Sequence, residues 1–125
     1  MPVREYTQAL GVVLILIGAV GLVFEDPPAS GVLNIVVLGD LAHLLTGGLL
    51  AYLGFGQTDE GLARTAVVAF GAVYLFIGVL GFALPPLVGP LSYGYSVLGN
   101  IVHLLVGTLS LAVYFGSRRG AASRA

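Results

Sequence analysis

The sequence predicts an all-α integral membrane protein of four transmembrane helices, built from a duplicated helical hairpin with a pseudo-two-fold axis along the membrane normal. Three observations predict it: an apolar composition, four long uncharged runs, and a self-match at a fixed offset. The 125 residues are 58% hydrophobic and 9% charged, with nineteen glycines and a mean hydropathy of +1.02. An average soluble domain is about a quarter charged. A water-soluble fold of this size leaves about a third of its surface to be covered by polar groups. Five Arg, six Asp or Glu and two His are too few to cover it. That excludes soluble enzymes, nucleic-acid-binding proteins and disordered chains. A net charge of −1 gives no reason to expect a polyanionic partner, and without cysteine there is no disulfide framework or thiolate metal site.

The apolar runs fall near residues 6–24, 32–55, 65–84 and 96–115. At 1.5 Å per residue, about 20 residues span the roughly 30 Å hydrocarbon core of a bilayer. Backbone groups in lipid must bond internally, so each run should be a helix. The absence of dyad alternation argues against a membrane β-barrel. Turn chemistry separates the runs. Pro27 and Pro28, after Glu25 and Asp26, end the first, and Pro85, Pro86, Gly89 and Pro90 end the third. Between the second and third, Thr58 or Asp59 should cap the following helix. Residues 117–125 are small, polar and basic, and should form a flexible cytoplasmic tail.

Orientation follows from the arginines. Four spans place both termini and the middle loop on one side, and Arg4, Arg64, Arg118, Arg119 and Arg124 all lie there. The positive-inside rule then puts both termini in the cytoplasm and the chain in the inner membrane. The first outer loop is acidic through Glu25 and Asp26; the second offers Tyr93 and Tyr95 to the headgroup region. Ala29 and Ser30 resemble a cleavage site, but the internal repeat argues that the first span is retained.

Slid on itself by 60 residues, the sequence pairs Gly11, Gly18 and Gly21 with Gly71, Gly78 and Gly81. Gly39, Gly47 and Gly56 meet Gly99, Gly107 and Gly116, and His43 meets His103. Leu and Val matches are weak evidence in apolar helices. The glycines and the two histidines are rarer and decide the matter. The repeats run from about 4 to 56 and from about 64 to 116 within a single membrane domain. Two spans per unit insert both copies in the same sense, unlike an inverted repeat. Glycines seven apart mark one helix face and allow close helix approach.

Chemistry, if there is any, is confined to the second and fourth spans. Asp40 and His43 are three apart and share a face, as do Asn100 and His103. Thr46 and Gly47 extend the first stripe; Gly107, Ser110 and Tyr114 extend the second. A central carboxylate costs roughly 2.5–3.5 kcal/mol to insert, so these groups should face the bundle interior, at or outside mid-membrane. Several readings fit. One is a hydrogen-bonded cluster in which Asp40 pairs with His43, His103 or Asn100. Another is a b-type haem held by His43 and His103, with Gly47 and Gly107 making room for the macrocycle. A third is a proton or ion conduit, or a zinc site, using Asp40 and both histidines. A di-metal oxidase centre is disfavoured, because the first and third spans bring no carboxylates.

The stretch Leu98-Gly99-Asn100-Ile101-Val102-His103-Leu104-Leu105-Val106-Gly107 resembles the Asn-x-x-His-x-x-x-Gly core of a family of small bacterial membrane proteins, domain of unknown function 4383. The resemblance continues through Gly78-Val79-Leu80-Gly81-Phe82 before a proline-containing loop. In the first copy Asp40 stands where that pattern has Asn. The resemblance implies a four-span topology and a bacterial membrane, and supplies no activity, cofactor or catalytic residue.

No catalytic motif is recognisable. The expectation is therefore a non-enzymatic structural or accessory component of the membrane. Its partners would be the lipid bilayer and copies of itself or another membrane protein, with no nucleic acid. The rivals are a haem-binding electron-transfer protein using His43 and His103 and a small oligomeric conduit using Asp40 and the two histidines.

Overall fold

The computed structural model describes residues 2–24, 35–56, 59–83 and 97–125. Four helices follow in order: α1 (Val3–Phe24), α2 (Ile35–Phe55), α3 (Glu60–Ala83) and α4 (Val97–Ala122). Among the described residues the chain is all-helical. α1, α3 and residues 99–122 of α4 are each long and apolar enough to cross a membrane. The acidic loop, the proline-rich breaks, Ala29, Ser30, Tyr93 and Tyr95 lie outside the described residues.

Three boundaries extend beyond the apolar runs, each for a local reason. α1 begins at Val3, where the Tyr6 amide donates to Pro2 O at 3.1 Å and Glu5 sits in the first turn. α3 begins five residues before its apolar run. Asp59 is its cap: the carboxylate accepts the Gly61 amide at 3.0 Å, and its carbonyl accepts Leu62 N at 3.1 Å. Glu60 then holds Arg64 at 2.9 Å, four residues on. α4 runs to Ala122, so residues 117–122, expected in a flexible tail, continue the helix.

α1 packs chiefly on α2 and α3 chiefly on α4, giving two tight antiparallel hairpins joined by sparser contacts. Glycine sets the closeness within each hairpin. A Cβ at Gly11 would lie 2.5 Å from Ala51 N, and one at Gly47 would lie 2.7 Å from Ile15 N. At the positions 60 residues on, a Cβ at Gly71 would lie 2.7 Å from Ser110 Cβ, and one at Gly107 would lie 2.5 Å from Leu75 N. Backbones that close gain dispersion and leave no space for a side chain.

Burial follows the same spacing. From 39 to 50 and from 99 to 110, the buried, half-buried and exposed positions coincide one for one. The central apolar cluster includes Val3, Leu10, Leu14, Leu50, Val67 and Tyr74. Outward faces are apolar as well, with Leu45 76% exposed and Phe24 79% exposed. Thr7, Asp40, Asn100 and Ser110 are buried instead. An apolar outer surface over an interior that also holds polar groups is not the pattern of a water-soluble bundle.

Candidate functional site

The structure brings the two histidines together. His43 on α2 and His103 on α4 have ring centres 6.3 Å apart, tilted by 36°. A third ring completes the group: Tyr74 of α3 stacks parallel to His43 at 6.4 Å and lies 5.5 Å from His103. Thr46, one turn beyond His43, fixes Tyr74. The Thr46 hydroxyl donates to Ala42 O at 2.8 Å, so its oxygen is left to accept the Tyr74 hydroxyl at 3.4 Å. Nδ1 of both His43 and His103 is buried without a hydrogen-bond partner.

Asp40 and Asn100 are buried as expected, at 7% and 3% exposure. Their neighbours differ from the expected ones. The Asp40 carboxylate packs against Gly21 of α1, and the Asn100 amide packs against Gly81 of α3. Asp40 Oδ2 and Asn100 Oδ1 have no hydrogen-bond partner, so Oδ2 makes none of the expected bonds to His43, His103 or Asn100. Each side chain fills the notch that a glycine leaves on the facing helix of its own hairpin. Buried unpaired oxygens of this kind are costly and are normally satisfied by water or by a ligand.

The spaces expected to admit a macrocycle are occupied. Leu14 and Ile15 of α1 fill the position beside Gly47, and Leu75 of α3 fills the one beside Gly107. Among the described residues, no group of three or more His, Cys, Asp or Glu could hold a metal ion.

A second polar contact lies nearer the end that carries the termini. The Tyr6 hydroxyl meets Ser110 Oγ at 2.7 Å and Val106 O at 3.4 Å, linking α1 to α4. Thr7 donates to Val3 O at 2.6 Å, and Gln8 donates to Gly54 O at 2.9 Å. Tyr114, at the end of the expected stripe, packs edge-on against Phe115, with the Arg118 guanidinium 6.0 Å from its ring centre. Sequence reasoning found Ser110 and missed Tyr6 and Tyr74. The signal for Tyr74 was present: Val67, Gly71, Tyr74 and Gly78 recur at helical spacing, and all four are buried.

The bundle interior thus holds an ordered series of polar groups. Tyr6 and Ser110 lie toward the termini, Thr46 and Tyr74 near the middle, then the two histidines, then Asp40 and Asn100. Compared with known proteins, the chain matches no family model, no curated protein and no solved structure.

Proposed function

We propose that this chain is a multi-pass protein of the bacterial inner membrane. In this reading four helices span the bilayer, both termini are cytoplasmic, and the hairpins descend from one duplicated unit. Its role is that of a non-enzymatic structural or accessory component which binds a second copy or another membrane protein. The observation that carries the reading is the arrangement of polarity: Leu45 and Phe24 face outward while Asp40, Asn100, Thr7 and Ser110 are buried.

The chain has no cysteine, so single cysteines report sidedness without background. The protein is expected in the membrane fraction. A membrane-impermeant maleimide should label Ser92→Cys in intact cells and Ser123→Cys only after lysis. Recovery in the soluble fraction, or labelling of Ser123→Cys from outside, overturns the topology. Cross-linking in native membranes should trap a discrete larger species; monomer alone overturns the partner-binding role.

One distance favours a second reading, an electron-transfer protein binding b-type haem. Two imidazoles bound to one metal atom through nitrogens about 2 Å away stand about 6 Å apart between ring centres, near the 6.3 Å between His43 and His103. Leu75 and Ile15 would have to yield before a macrocycle could enter. Protein purified from haem-supplemented cells without a Soret band overturns this reading. A band lost in both His43→Ala and His103→Ala supports it.

A further inference from the structure

The end of the bundle carrying both termini contains a cleft of about 640 Å³, lined by the start of α1, the start of α3 and the last half of α4. That volume is typical of a small-molecule site. Its lining changes character along α4. Leu109, Ala112 and Val113 line it toward mid-bundle, whereas Ser117, and Arg124 just past the helix end, line it toward the termini. Those two ends are about 20 Å apart along the helix axis. α3 adds Glu60 and Arg64.

Three details make this a built site. Arg64 donates from Nη2 to Glu60 Oε1 at 2.9 Å, yet its Nε is buried with no partner. The Arg64 side chain is 34% exposed, so the rest of its guanidinium stays open to an anionic oxygen in the cleft it lines. Arg124 supplies a second guanidinium, so the two lining arginines outweigh Glu60 by one charge. Finally, Gly116 and Gly120 line the cleft, and a Cβ at either would meet nothing within 4 Å. The cleft is open to an occupant along this edge. α4 builds this edge by running on to Ala122, whereas α2 stops at Phe55.

We propose that this cleft binds one anionic phospholipid of the cytoplasmic leaflet. Its phosphate rests on Arg64 and Arg124, and part of one acyl chain lies along Leu109, Ala112 and Val113. The occupant follows from charge complementarity and from the apolar-to-basic gradient, which matches a lipid entering from the leaflet side. A free phosphate would use the arginines and leave the apolar wall bare. The inference rests on the membrane-spanning reading above.

The test is native mass spectrometry of the detergent-purified protein titrated with phosphatidylglycerol or phosphatidylcholine. The wild type should retain one phosphatidylglycerol, at least about fivefold over phosphatidylcholine. Arg64→Gln with Arg124→Gln should bring the two lipids level, as should Arg124→Gln in part. Gly116→Leu, which projects into open space, should weaken retention of both lipids while leaving helix content unchanged. Equal retention by the wild type, an unchanged preference in the double variant, or displacement of the lipid by inorganic phosphate overturns the proposal. Membrane fractionation separates the two failures: a membrane-embedded protein with no lipid preference fails here alone, and a soluble one fails both readings.

Discussion

The hairpins α1–α2 and α3–α4 agree in what packs and differ in what is polar. Gly11 and Gly47 close the first hairpin as Gly71 and Gly107 close the second, and Asp40 sits in the notch of Gly21 as Asn100 sits in that of Gly81. Elsewhere equivalent positions diverge: Leu14 against Tyr74, Leu50 against Ser110, and Tyr6 and Thr7 against Ala66 and Val67. The divergent hydroxyls meet across the hairpins, Tyr6 with Ser110 between α1 and α4, and Tyr74 with Thr46 between α3 and α2. Each hairpin is therefore held internally by glycine contacts, and the two are joined by tyrosine–hydroxyl pairs. Close backbone approach tolerates almost no substitution, and glycine stands at both positions of each such pair. Hydrogen bonds between hairpins need one donor and one acceptor on facing helices, so the two partners need not be matched within a repeat.

The strongest way to break this comparison is to fill a glycine in one hairpin at a time. Gly11→Leu and Gly71→Leu each force a side chain against the facing helix, and each should cost more than about 3 kcal/mol. Gly48, whose Cβ direction is open, serves as the control. Thermal unfolding in detergent, followed by helix content, should show both variants collapsing and Gly48→Leu behaving as wild type. Harm in only one hairpin would mean that their packing is not equivalent.

Exchanging the buried polar pair Asp40 and Asn100 gives the next largest effect. Asp40→Asn makes the first hairpin resemble the second and replaces a buried carboxyl group, whose Oδ2 has no partner, with an uncharged amide. Stability should rise by about 2 kcal/mol, and Asn100→Asp should lower it by a similar amount. The same unfolding experiment reads both. Loss of stability in Asp40→Asn would mean that the carboxylate has a partner which the amide cannot replace.

How much of this was legible in the sequence depended on whether the information was local. The helices were, because hydropathy runs are local, although the polar turn Asp59–Glu60–Arg64 belongs to α3 and is invisible to an apolar scan. The meeting of His43 and His103 was legible, since they pair at the 60-residue offset and the burial pattern around them coincides. The neighbours of Asp40 were not. They depend on how far α1 slides along α2, which the Gly21 notch settles in three dimensions. Tyr74 carries no charge and pairs with Leu14 at the 60-residue offset, so neither the ionisable groups nor the repeat marks it, although its register with Gly71 and Gly78 already placed it inside.

The smallest effect gives the sharpest comparison, because it asks whether the two links between hairpins are worth the same. Double-mutant cycles suit it: Tyr6→Phe with Ser110→Ala, and Tyr74→Phe with Thr46→Val. Interhelical hydrogen bonds in membrane proteins couple by about 0.6 kcal/mol on average. The Tyr6–Ser110 contact is short at 2.7 Å and Ser110 is fully buried, whereas the Tyr74–Thr46 contact is 3.4 Å and partly buried. The first cycle should therefore give about 1 kcal/mol and the second about half that or less. The reverse order would mean that Tyr74 matters through its ring, wedged against His43 and His103, more than through its hydroxyl. In that case Tyr74→Leu, which copies the residue at the equivalent position in the first hairpin, should cost more than Tyr74→Phe.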